Sequence, residues 1–169
     1  MFKSIFNLEE SKLGITSIQF DHEDKYLAAG ITDGSIEIFN LFTGEISYTL
    51  NREHKKEEIM PTFLDIKYPV TCMKWRPQRS KFHSKQSVLV NASPDGTIKY
   101  WHATSGKLLY TAVEKGNGIY CLDYNQDGNR LVSGGSDTYI RLYDDETKDV
   151  ITTFKDSSEK LVSHFNRVF

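Results

Sequence analysis

Residues Asn91–Leu109 read NASPDGTIKYWHATSGKLL. Asp95-Gly96 is a tight-turn signal, Ile98, Tyr100 and Trp101 form a strand-favouring run, and Ser105-Gly106 marks a second turn before Leu108 and Leu109. Short β-rich runs bounded by such dipeptides predict two strands with two turns. The same stretch carries His102, Thr104 and Ser105, residue types that suit a nucleophilic site. Recurrence decides between site and turn.

The stretch recurs. Leu27–Asn40, Leu89–His102 and Leu131–Asp144 align position by position, each with an aspartate at the turn (Asp33, Asp95, Asp137) and an aromatic six residues later (Phe39, Trp101, Tyr143). Ahead of each lies an aliphatic, small, aliphatic, aromatic segment: Ile15–Phe20, Val70–Trp75 and Ile119–Tyr124. Behind each, Thr43-Gly44, Ser105-Gly106 and Thr147-Lys148 open onto a last run ending at Leu50, Tyr110 or Phe154. A period of roughly 40 residues with four short strands per unit predicts repeated antiparallel sheets. A sheet apolar on both sides needs cover on both, and radial stacking of four-stranded sheets supplies it as a β-propeller. No helical period competes before the C-terminus.

These residues resemble the WD-repeat family of β-propellers. The resemblance covers essentially the whole chain and implies an all-β partial ring: blades at 15–50, 70–110 and 119–154, a closing outer strand at 2–6 and a first strand of a next blade at 164–169. It also implies that Met1 is a true start and that about four blades are lacking from a seven-bladed ring. The signature departs from the family's in places. The Trp-Asp dipeptide stands as Phe39-Asn40, Trp101-His102 and Tyr143-Asp144, and the Gly-His ahead of the first strand is missing from all three repeats, with His164 alone at such a place. In the family that histidine, a second-strand serine, the turn aspartate and the tryptophan form a buried hydrogen-bond network, so an incomplete network is expected here. Phe39, Trp101 and Tyr143 are expected between blades. Thr138 replaces the glycine of Gly34 and Gly96, which predicts a different turn type or a bulge.

With 169 residues, 38% hydrophobic, and net charge −2, the chain can bury one core and is not a disordered or generally nucleic-acid-binding polypeptide. No apolar run is long enough to span a bilayer, and Glu9-Glu10 follow an N-terminus unlike a secretory signal, which predicts a cytoplasmic protein, nuclear or cytoskeletal placement being compatible. Cys72 and Cys121 share one register and suit small buried thiols rather than a disulfide framework or zinc site.

Each candidate site has a plain structural alternative. His102 fills the dipeptide's second slot, so a turn explains it without catalysis. Asp21-His22-Glu23-Asp24 matches no calcium loop and aligns with the hairpin turn Asn125–Gly128. Asp144-Asp145-Glu146 is expected to be solvated. Relative to the third repeat, the second carries inserts at 77–87 and 51–69, which hairpin topology sends to opposite faces. The first, with its flank, holds Lys74, Arg76, Arg79, Lys81 and Lys85 without an acid, and reads as a solvated loop, a dock for an acidic protein surface, or a nucleic-acid contact. The second holds Met60 and Phe63, either an exposed apolar patch or a folded cap. The resemblance places Thr32, Pro94 and Ser136, each just before a turn aspartate, on the narrow face where family members grip peptides. The expectation is a non-catalytic scaffold without cofactor or metal. It binds proteins or peptides through that face and the inserted loops, with further blades or self-association at its open edges. The alternative is a nucleic-acid-associated propeller using 74–85.

Overall fold

The computed structural model describes residues 13–51, 67–77 and 87–155. They form twelve strands: β1 (Ile15–Phe20), β2 (Tyr26–Ile31), β3 (Ile36–Asn40), β4 (Ile46–Leu50), β5 (Cys72–Trp75), β6 (Val88–Ala92), β7 (Thr97–His102), β8 (Lys107–Val113), β9 (Ile119–Tyr124), β10 (Arg130–Gly135), β11 (Tyr139–Asp144) and β12 (Val150–Lys155). They pair as three four-stranded antiparallel sheets, β1-β2-β3-β4, β5-β6-β7-β8 and β9-β10-β11-β12, each an up-and-down meander in chain order. The fold is an all-β partial propeller of three blades. No described residue lies in a helix, so none of the described segments is a helix able to cross a membrane. The expected strands at 2–6 and 164–169, and His164, lie outside the described residues.

The third strand of each blade carries the repeat's most telling residue. Pairing between third and fourth strands shifts between Ile38 and Phe39, between Tyr100 and Trp101, and between Leu142 and Tyr143. A bulge at one position in every blade bends the strand and re-aims the aromatic that follows. Phe39, Trp101 and Tyr143 are all buried. β8 runs on to Val113, past Tyr110, because Thr97 and Ile98 still have partners there in Val113 and Ala112.

Two cores form, and both lie between sheets. In the first, Ala28, Ile36, Ile38 and Leu50 of the first blade meet Val70, Met73, Trp75 and Trp101 at the leading face of the second. In the other, Val90, Ile98 and Tyr100 of the second blade meet Ile119, Leu122, Tyr124 and Tyr143 of the third. Strand alternation explains the pattern, since successive side chains of one strand serve opposite seams. The same positions are uncovered where a seam is lacking. Val70, Met73 and Trp75 are 1%, 1% and 8% exposed, but their counterparts Ile15, Ile18 and Phe20 are 46%, 61% and 53% exposed. Likewise Ile98 and Tyr100 are buried, whereas Ile140 and Leu142 are half-buried on the far side of the third blade.

The turn at Thr138 corrects the sequence reading. Its φ of 67° matches the 82° and 83° of Gly34 and Gly96, so all three turns are of one kind and a threonine occupies the left-handed conformation. At Gly96 a side chain is also sterically barred, because a Cβ there would lie 2.4 Å from the Glu114 carbonyl oxygen. At Thr138 the Asp137 carboxylate anchors the turn by accepting the Tyr139 N–H at 3.1 Å.

Candidate functional site

The Asp turns gather at one end of the blades. Asp33 Oδ1 accepts the Ser35 N–H at 2.9 Å and its hydroxyl at 2.6 Å, and Asp95 Oδ1 accepts the same pair from Thr97 at 2.9 and 2.7 Å. Tyr139 has no hydroxyl at that position, so Asp137 turns its second oxygen to Arg141. Burial works against ionisation of Asp33, yet the Ser35 hydroxyl and amide hold its carboxyl below the usual range. Arg141 and the Tyr139 amide do the same for Asp137. Beside these turns the uncharged Thr32 and Ser136 are exposed and Pro94 is half-buried.

Beneath Ser136 lies a hub that the sequence reading missed. Glu114, in the loop leading to β9, is buried and takes the Ser133 and Tyr143 hydroxyls on Oε1 and the Asn117 amide and Arg141 guanidinium on Oε2. Tyr143 donates at 2.7 Å and Arg141 at 2.7 Å. Asn117 reaches on to accept the Asp137 N–H at 3.1 Å. The third blade thus has a complete buried network without histidine, which corrects the expectation of an incomplete one: a carboxylate accepts where two hydroxyls and a guanidinium donate. Burial, then the bond to Glu114, pushes the Tyr143 hydroxyl's pKa up. A signal was available. An acid stands five residues before each of Ile15, Val70 and Ile119, as Glu10, Asp65 and Glu114, where a search for histidine passes over it.

In the second blade Trp101 Nε1 donates to Asn91 Oδ1 at 2.8 Å, Asn91 standing where the third blade has Ser133. Next to this pair a cleft of about 140 Å³ opens between the first two blades, lined by Asp33, Asn51, Lys67, Asn91, Asp95 and Lys99 among others. Lys99 Nζ lies 3.4 Å from Asn51 Oδ1.

The other end of the blades carries the second dipeptide slot and the first hairpin turns. Asn40 Oδ1 accepts the Phe42 and Thr43 N–H groups, and Asp144 Oδ1 accepts those of Glu146 and Thr147. His102 fills the same slot with Nδ1 2.6 Å from Ser105 Oγ, closing the same turn. The His102, Thr104, Ser105 group is therefore one of three equivalent turn caps. Asp21 likewise caps a hairpin, its Oδ1 accepting the Lys25 and Tyr26 N–H groups at 2.7 and 2.9 Å, as Asn125 does for Asn129 and Arg130.

Three readings change at this end. Asp145 is buried rather than solvated: it accepts the Tyr124 hydroxyl at 2.8 Å and pairs with Arg76 at 3.2 Å and Lys148 at 3.1 Å. Arg76, expected to reach for a partner, instead ties the second blade to the third, because only a cation satisfies the Asp145 charge in that seam. Lys74 pairs with Asp123 at 3.2 Å, so the acids lacking in the cationic stretch come from the neighbouring blade. Burial lowers the Lys148 pKa, and the ammonium sits 4.1 Å above the Tyr100 ring. Arg79, Lys81, Lys85, Met60 and Phe63 lie outside the described residues. Cys72 and Cys121 are half-buried rather than core, Cys72 packing against the second core and Cys121 against the Gly134 carbonyl of its own blade. The Cys72 thiol lies 3.4 Å from the Leu122 N–H, and burial raises the pKa of each. Among the described residues no cluster of three or more His, Cys, Asp or Glu is placed to hold a metal ion.

The model of the anaphase-promoting complex subunit 4 WD40 domain matches residues 1–78, and that of the WD domain, G-beta repeat, matches residues 106–144. An uncharacterised WD repeat-containing protein of Schizosaccharomyces pombe is 26% identical over 159 residues, covering 82% of this chain and 40% of that protein. Eukaryotic translation initiation factor 3 subunit I of Bombyx mori is 31% identical over 86 residues, covering 51% of this chain and 26% of that one. A chain in a crystal structure of the mitotic checkpoint complex superposes with a TM-score of 0.68 at 17% identity, over 87% of this chain and 39% of the other. The chain thus spans two fifths or less of the length of these proteins. Its three-fold repeat, its four-stranded blades and both matching models agree, and the chain belongs to the WD-repeat family of β-propeller proteins.

Proposed function

We propose that the chain is part of a protein-interaction scaffold that holds partner proteins or peptides at the end of the blades carrying Thr32, Pro94 and Ser136. The observation that carries this reading is the contrast between the two ends. At the Asp-turn end the uncharged Thr32 and Ser136 are exposed and a polar cleft opens between the first two blades, whereas at the other end Arg76, Lys148 and Asp145 satisfy one another within the seam. Rigid sheets with short loops at one end suit presentation of a binding surface rather than chemistry. Relatives named as subunits of a translation initiation factor and of coatomer support a role within assemblies. The uncovered Ile15, Ile18 and Phe20 face further supports cover by additional blades or by a second copy.

The test is a tiled peptide library probed with wild-type chain and with a T32R/P94R/S136R variant whose circular dichroism matches wild type. Peptides captured by the wild type should be lost on the variant; unchanged capture would sink this face as the binding surface. Pairing of Lys74 and Arg76 with Asp123 and Asp145 removes two cations from the nucleic-acid alternative, which predicts binding that falls steeply with salt.

A further inference from the structure

Each seam joins the same two halves. The half on the later blade is an aliphatic, aliphatic, aromatic set: Val70, Met73 and Trp75 in the first seam, Ile119, Leu122 and Tyr124 in the second. The half on the earlier blade is a set of four from its last three strands: Ala28, Ile36, Ile38 and Leu50, then Val90, Ile98, Tyr100 and Ala112. The described residues hold one more of each half, and neither is covered. Ile15, Ile18 and Phe20 repeat the first set and are exposed. Val132, Ile140, Leu142 and Phe154 repeat the second, with Phe154 exposed and the other three half-buried. Strand register fixes that match. Ile140 pairs with Phe154 as Ile36 does with Leu50 and Ile98 with Ala112, and Val132 pairs with Leu142 as Ala28 does with Ile38 and Val90 with Tyr100.

We propose that these two faces join copies of this chain head to tail, the third blade of one copy taking Ile15, Ile18 and Phe20 of the next in the register of the existing seams. This names a second copy as the cover for the open face and rests on that part of the scaffold reading. Both seams within the chain pack a three-residue set on a four-residue set, so the faces complement each other rather than themselves, and the contact is heterologous. A polar contact carries over as well. The Cys72 thiol accepts the Leu122 N–H at 3.4 Å across the second seam, and Cys121 and Ile18 stand at the same two positions in the new one. Charge does not oppose it. The positions of the Lys74–Asp123 and Arg76–Asp145 pairs fall in the new seam to Asp123 with Gln19 and Asn125 with Leu41, and the first seam holds with Gln19 and Lys74, and Asp21 and Ala103, in those places. One bond is not carried over: Thr16 and Thr71 donate to the Val70 and Ile119 carbonyls, and Tyr120 stands at their position. The apolar sets carry the fit, as in an interface that resembles a domain core cut in half.

The experiment is sedimentation velocity of the full chain, of I18E and F154E alone, and of their equimolar mixture, over a wide concentration range. Wild type should sediment as two or more copies. Each variant spoils one face at an exposed residue, so each alone should stay monomeric, its association weakened about a hundredfold or more by an unpaired charge in the seam. The mixture should form a dimer of one I18E and one F154E chain and nothing larger, because the intact third blade of I18E meets the intact first blade of F154E. I18N and F154N replace the glutamates if either variant fails to unfold cooperatively at the wild-type urea midpoint. A monomeric wild type, a variant that associates alone as wild type does, or a mixture that stays monomeric while wild type associates would each overturn the head-to-tail seam. The peptide-binding reading is judged separately. Peptide capture lost on T32R/P94R/S136R beside a monomeric wild type leaves that reading standing without the seam, and the expected mixture result beside unchanged capture leaves the seam standing without it.

Discussion

Replacing Glu114 by alanine tests the hub directly. The substitution removes one buried carboxylate that four donors share: the hydroxyls of Ser133 and Tyr143, the Asn117 amide and the Arg141 guanidinium. Breaking a buried ion pair by deleting one member costs about 3–5 kcal/mol. Here the lower end applies, because Arg141 keeps Asp137 as a partner. The expected loss is thus about 3 kcal/mol, which for a chain of this size lowers the melting temperature by roughly 6–12 °C. E114Q separates charge from volume. Its retained oxygen still serves Ser133 and Tyr143, but its amide opposes the Asn117 and Arg141 donors, so the variant should lose about 2 kcal/mol. Urea unfolding of wild type, both variants, R141M and the E114A/R141M double variant gives the stabilities and the coupling between the pair. Coupling of about 1 kcal/mol or more is expected for residues joined this closely. An E114A variant within about 0.5 kcal/mol of wild type, the range of an ordinary surface change, would refute the hub.

Three further outcomes are expected. Trp101→Ala should lose about 3–5 kcal/mol by denaturant unfolding, because it empties a site in the first seam, whereas Phe42→Ala at an exposed turn should be close to neutral. The urea midpoint should fall at both pH extremes. Asp33, Asp137 and Asp144 have depressed folded pKa values, so the stability they contribute is present above the ordinary aspartate value near about 4 and is lost as pH falls through the folded values. The Cys72, Cys121, Tyr100, Tyr124 and Tyr143 values are raised, mainly by burial, so their contribution is complete below the unfolded values of about 8.5 for thiols and 10 for tyrosines and declines above them, with Lys148 pulling the opposite way. A midpoint that stays flat from neutral to strongly alkaline pH would contradict this. Finally, I18E/F20E should reduce self-association in sedimentation velocity by charging the uncovered face, and a wild-type chain that is monomeric at high concentration would show that the face does not self-associate.

The parts of the fold legible in the sequence are those fixed by residues within one hairpin. Asp95, Gly96 and Thr97 set a turn through bonds spanning two residues, and His102 with Ser105 sets the next through a contact spanning three. The repeat of such local units then dictates stacking, because no single sheet can cover its own two apolar sides. Contacts between units were not legible in the same way. Arg76 and Asp145 are separated by 69 residues, and Glu114 and Tyr143 by 29, so nothing in the neighbourhood of either acid announces its partner. Thr138 escaped for a different reason: glycine's preference for positive φ is a bias, and the anchoring bond from Asp137 overrides it.

The hub also explains why the family's histidine can be absent without loss of the network. An indole is a donor only, and in the second blade Trp101 is met by the oxygen of Asn91. A tyrosine hydroxyl in that position can be met by a stronger acceptor, and a carboxylate there needs a cation to offset its buried charge. Tyr143, Glu114 and Arg141 supply all three requirements together, and Ser133 and Asn117 occupy the remaining acceptor sites. Exchanging any one of the three alone would leave a buried donor or charge unmatched, so they act as a set rather than as separate departures from a signature. On this account Y143W should be tolerated poorly beside Glu114 and Arg141, since the indole cannot place its single N–H where the hydroxyl sits. Pairing it with E114H and R141K, which moves the third blade toward the family's donor pattern, should recover part of the lost stability. Recovery no greater than the sum of the separate effects would show that the three residues contribute independently.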